Sequence, residues 1–107
     1  MAWIRKQFDR YILSYDTERK NANVVASITC YTSLPWKSVG QILFYLEDIP
    51  PNETAGNDFL KLHFSASRFN DIINILRYEK PLSLIMNTDT LYGALQTSSE
   101  ETGEQEP

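Results

Sequence analysis

The chain has 107 residues, ten basic and fourteen acidic, and thirteen aromatic side chains among its apolar positions. This length and composition suit a single domain with one packed core, and they exclude a disordered chain. Acidic and basic residues cancel through Thr97, so the net charge of −4 resides in Glu100, Glu101, Glu104 and Glu106, which excludes the strongly basic footprint of a duplex-DNA binder.

The first residues, MAWIRKQFDR, lack the apolar run of a signal peptide, and no stretch of about 18 apolar residues follows anywhere. A cytoplasmic protein without a membrane segment is expected. Residues 1–37 carry six basic and three acidic side chains, a modest excess that could attract a polyanion. The first predicted strand covers residues 10–16, where Tyr11, Leu13 and Tyr15 alternate with Arg10, Ile12, Ser14 and Asp16. A polar turn, TERKNAN, leads to a second strand in NVVASITCY. Its period of two places Val24, Ala26, Ile28 and Cys30 on one side and Val25, Ser27, Thr29 and Tyr31 on the other.

TSLPWK breaks the pattern at Pro35, and VGQILFYLED reads as a third strand, with Ile42, Phe44 and Leu46 opposite Leu43 and Tyr45. IPPNETAGND has the composition of an exposed connection. Alternation resumes from Phe59 to Phe64: Leu60, Leu62 and Phe64 face inward, while Phe59, Lys61 and His63 face outward and His63 is expected to be dispensable to folding. Ser65 or Ser67 can cap a helix in which Phe69, Ile72, Ile73 and Leu76 recur at i, i+3, i+4 and i+7. Arg77 and Lys80 suit its negative end, and Pro81 cannot continue it. LSLIM, a turn at NTDT and LYGALQT read as a closing hairpin, and SSEETGEQEP as a mobile acidic tail. The expected architecture is α+β, in the order ββββαββ. One antiparallel sheet carries one principal helix on one face, in a single domain over residues 1–97 with a tail over 98–107.

The chemistry-bearing residues point away from catalysis. Cys30 is the only cysteine and His63 the only histidine, and the strand registers put them on opposite faces, too far apart for a nucleophile–base pair. One cysteine and one histidine cannot supply a structural zinc site. Glu47, Asp48, Glu53 and Asp58 flank the proline-rich connection without the spacing of a calcium loop. The phosphate-loop, dinucleotide and nucleophile-elbow signatures are absent. No catalytic residue, metal or cofactor is assigned.

A sheet face remains. With the helix over the side bearing Leu13, Val24, Ile28, Phe44, Leu62 and Leu84, the other side presents Ser27, Thr29, Tyr31, Tyr45, Phe59, Lys61, His63 and Tyr92. Rings interleaved with hydroxyls and a cation can stack unpaired bases, and the same mixture suits a protein interface. The expected role is a non-catalytic binding module for single-stranded nucleic acid, or alternatively a protein-interaction or assembly module, and in either case a homodimer.

Strands running into an amphipathic helix as KLHFSASRFNDIINILR resemble the ββββα unit of the Pur-repeat, Whirly and positive-cofactor single-stranded-DNA-binding proteins. The segments NILRYEKPLSLIM and LYGALQTSSEE are similar to those of small bacterial proteins assigned to that fold group. The resemblance implies a curved antiparallel sheet crossed by a helix and assembly from two such units. One unit and a neutral body are where this chain departs from it.

Overall fold

A computed structural model describes residues 2–15, 23–56 and 59–97. Asp16, most of the predicted TERKNAN turn, Asp58 and the predicted acidic tail lie outside the described residues. The fold is α+β, dominated by strands. In chain order these are β1 (Trp3–Phe8), β2 (Arg10–Tyr15), β3 (Val24–Ser33), β4 (Trp36–Tyr45), β5 (Glu53–Ala55) and β6 (Phe59–Ser65). A 3₁₀ turn (Ala66–Arg68), helix α1 (Phe69–Tyr78), β7 (Leu82–Asn87) and β8 (Gly93–Thr97) complete it. The expected order ββββαββ is therefore corrected: six strands precede the helix, and the eight form two sheets.

The smaller sheet has the order β1-β7-β8, and the larger the order β2-β3-β4-β6-β5. Every pairing is antiparallel except β4–β6, which is parallel. Asp9 separates β1 from β2, its N–H donating to the Tyr31 carbonyl at 3.0 Å, and there the chain passes from one sheet to the other. The parallel pair has a consequence for the site. After β4 the chain crosses beyond the end of β6, descends as β5 on the far side, and returns as β6 between them.

Alternation along β3, β4 and β6 gives the larger sheet an inner face of Ala26, Ile28, Cys30, Ile42, Phe44, Leu60 and Leu62, all fully buried. One end of this face is covered by the smaller sheet, not by the helix as expected. Leu84 and Met86 of β7 descend onto it from the opposite layer, so Leu84 belongs to the covering sheet. The layers touch at Gly40, where an added Cβ would meet the Leu84 side chain and lie 2.8 Å from the Leu60 carbonyl oxygen.

Helix α1 covers the other end. The Phe69 ring meets Phe44 edge-on at 5.0 Å and stacks on Tyr15 at 5.4 Å. Ile72 and Leu76 are buried and Ile73 is half-buried, as the apolar stripe predicts. Ser65 caps the 3₁₀ turn, its hydroxyl accepting from the Ser67 N–H at 3.2 Å, and the helix ends at Tyr78 before Pro81.

Candidate binding face

The outer face of the larger sheet is built by the residues that alternate with the core set. Cross-strand register places Ile12 beside Thr29, Thr29 beside Gln41, and Gln41 beside Lys61. Ser14, Ser27, Leu43 and His63 form the next row. No described helix or strand packs over these rows. Thr29, Tyr31, Tyr45, Phe59, Lys61 and His63 of the predicted face all come from this side. Tyr92 does not. It precedes β8 in the smaller sheet and meets Trp3 edge-on at 6.0 Å, so the single-sheet assumption that placed it here is corrected.

Two aromatic centres occupy the face. At one end Tyr31 and Trp36 stack with centroids 4.6 Å apart and planes within 17°, and Trp36 is 58% exposed. A bulge between Cys30 and Tyr31 makes this stack possible. It sets Tyr31 opposite Ser38 and brings Trp36, opposite Ser33, onto the same side. Arg10 lies directly across from Tyr31 on β2. Sequence reasoning missed Trp36 because Pro35 disguises the strand that resumes immediately after it, and it placed Arg10 in the first strand without including it in the face.

At the other end Tyr45 meets His63 edge-on at 5.3 Å. His63 has the predicted direction but not the predicted exposure, since only 2% of its side chain is accessible. The crossing from β4 to β5 explains this. It lays Pro51 and Asn52 against the end of β6, where His63 Nδ1–H donates to the Pro51 carbonyl at 2.8 Å. The His63 N–H donates to Asn52 Oδ1 at 2.7 Å, and Asn52 Nδ2 donates to the Leu91 carbonyl at 3.0 Å. Asn52 thus ties the β6 edge to the turn between β7 and β8. His63 Nε2 stands 3.8 Å from Glu53, so every polar atom of the ring has a neighbour within the fold. The expected exposure of His63 is accordingly corrected: its ring is buried and hydrogen-bonded to the crossing segment.

Charge on the face is nearly balanced. Lys61 has Glu53 as its cross-strand partner on β5, while Arg10 has no acidic residue opposite it. Partial burial, with the Glu53 carboxylate adding to it, pushes the Tyr45 phenol above its ordinary pKa. On the inner face Cys30 is fully buried, and burial pushes its thiol up to about 12. Cys30 and His63 therefore lie on opposite sides of the sheet, and a protonated thiol in the core cannot act as a nucleophile.

Among the described residues no three His, Cys, Asp or Glu side chains gather as they would around a metal ion. No described helix is long and apolar enough to cross a membrane. Comparison of the chain with protein-family models, with curated proteins and with solved structures finds no match in any of the three.

Proposed function

We propose that this protein is a non-catalytic binding module that takes unpaired nucleic-acid bases on the open face of its five-stranded sheet. The observation that carries this reading is the Tyr31–Trp36 stack beside Arg10. An indole already held parallel to a phenol loses little freedom when a base stacks on its outer surface, and the guanidinium across the strand can meet the adjoining phosphate. Ser27, Thr29 and Gln41 extend the track with hydrogen-bonding groups toward Tyr45, without the dense positive charge of a duplex binder. The reading rests on these side chains and not on the order of elements.

A protein partner on the same face is the second reading, favoured by Ile12 and Leu43, which stand within the otherwise polar rows. Tryptophan emission separates the two. With Trp3 replaced by Phe, Trp36 is the sole reporter. Base stacking should quench its emission as a single-stranded oligonucleotide is added, and Tyr31→Ala should weaken that binding by about 1–3 kcal/mol. Emission that stays constant through the titration would overturn the nucleic-acid reading in favour of the protein one.

A further inference from the structure

Among the described residues strand β2 is one edge of the larger sheet, and all six of its residues are exposed. Edges normally carry a device against further pairing: a proline, a bulge, an inward lysine or extreme shortness. Strand β5, at the opposite edge, has only three residues. Strand β1 carries Arg5 and Lys6. From Tyr11 to Tyr15, β2 has no charge, no proline and an unbroken register with β3. Its inner side is apolar throughout, and its outer side carries Ile12 between Arg10 and Ser14. Tyr11, Leu13 and Tyr15 share the inner side with Cys30, Ile28 and Ala26, while Ile12 lies on the outer side.

We propose that β2 pairs antiparallel with the β2 of a second copy of this chain, across a two-fold axis at Leu13, joining two five-stranded sheets into one. Opposed residues in such a pair must share a face, so a two-fold relation permits only registers centred on a residue. Centring on Leu13 sets Tyr11 beside the partner's Tyr15 and Ile12 beside the partner's Ser14. It uses Tyr15, which is 68% exposed and the most exposed residue among the β2 aromatics and aliphatics. The two Arg10 side chains then sit at opposite ends, roughly 20 Å apart, clear of mutual repulsion.

The inner side supplies a receptor as well. Between β2 and the end of α1 lies a cleft of about 600 Å³, whose apolar lining includes Phe8, Tyr11, Leu76, Tyr78, Pro81 and Leu82. The partner's Tyr15, next to Tyr11, reaches its rim. With rings covering ~150–250 Å² each, the exposed parts of Tyr11, Ile12, Leu13, Tyr15 and Tyr78 amount to on the order of 500 Å² per chain. Two strand backbones and the cleft walls bring this near the ~800 Å² per partner of a stable complex. The pairing leaves the outer faces uncovered and side by side, so it is independent of what the open face binds.

Sedimentation equilibrium at micromolar concentration is expected to give twice the 12.4 kDa chain mass. Leu13→Lys, at a site already partly exposed, should return the mass to one chain with unchanged circular dichroism. Because that variant could misfold, Leu13→Cys supplies a second readout. Opposed Cα atoms lie ~4.5–5.5 Å apart in an antiparallel pair, within disulfide range, so mild oxidation should cross-link two chains through the introduced thiol alone while Cys30 stays buried. A wild-type mass of one chain, a dimeric Leu13→Lys protein, or failure of Leu13→Cys to cross-link would each overturn the proposal. So would Trp36→Ala reducing the mass to one chain, since the interface would then lie on the open face.

Discussion

Replacing His63 with Ala removes a buried ring that the structure uses to hold the crossing from β4 to β5. The Nδ1–H bond to the Pro51 carbonyl contributes about 0.5–1.5 kcal/mol net. The edge-on contact with Tyr45 contributes about 0.5–1.5 kcal/mol beyond area burial. The cavity left by a ring with 2% side-chain exposure is filled only in part by relaxation and adds a further increment. Together these place the loss at about 2–4 kcal/mol, a large share of a typical total stability of ~5–15 kcal/mol. Urea unfolding of wild type, His63→Ala and His63→Asn measures it. Asparagine can place an N–H near the position of Nδ1 and should recover about 1 kcal/mol of the loss. Lys61→Ala, two residues earlier on the same face, should change stability by less than about 0.5 kcal/mol. A His63→Ala midpoint indistinguishable from wild type would refute this role and restore an exposed histidine.

Three further outcomes follow from the packing. Gly40→Ala drives a methyl group against the tip of the Leu84 side chain and against the backbone carbonyl of Leu60, and should cost about 1–3 kcal/mol by urea denaturation; a neutral effect would mean that the layers are not in contact. Ile72→Asp buries an unpaired carboxylate at several kcal/mol, so the variant should lack a cooperative thermal transition, and a well-folded Ile72→Asp protein would show that the helix presents another stripe. Cys30 ionises near 9.0 when unfolded and near about 12 when folded, so between those values the unfolded chain has released a proton that the folded one retains. Stability should therefore fall as pH rises above about 9, by up to ~1.4 kcal/mol per pH unit from this group, and Cys30→Ala should flatten that part of the profile.

The residues that sequence reading placed correctly are those whose environment is local. Alternation assigns the faces of β3, β4 and β6 between their irregularities, and the spacing of Phe69, Ile72, Ile73 and Leu76 assigns the helix stripe; the bulge between Val24 and Ala26 turns Val25 and not Val24 toward the core, and Leu46, expected inward, is exposed beyond the end of β4. What alternation cannot convey is which layer a face meets. Leu84 and Leu62 look alike in sequence, yet they come from opposite sheets and help fill one core. Strand β1 escaped notice because Lys6 interrupts its apolar side between Ile4 and Phe8. Strand β5 is three residues inside a Pro- and Gly-rich stretch, held by its ladder with β6 and not by any pattern of its own. For the candidate site, the outward direction of His63 was legible, but its burial depends on Pro51 and Asn52, brought there by a crossing that only the parallel pairing of β4 with β6 creates. Trp36 was lost to the reading of Pro35 as a break, although it is exposed and stacked on Tyr31.

The open face is tested most directly by fluorescence polarisation of a labelled single-stranded oligonucleotide titrated with protein over a series of salt concentrations. With Arg10 and Lys61 as the cations of the face, about two phosphates are neutralised. The logarithm of the affinity should then fall linearly with the logarithm of salt with a slope of roughly −1.4. Trp36→Ala should lower affinity at every salt concentration by about 1–3 kcal/mol while leaving that slope unchanged, because stacking carries no counterion release. Polarisation that does not rise at micromolar protein in low salt, or a Trp36→Ala titration superimposable on wild type, would contradict the assignment of this face to unpaired bases.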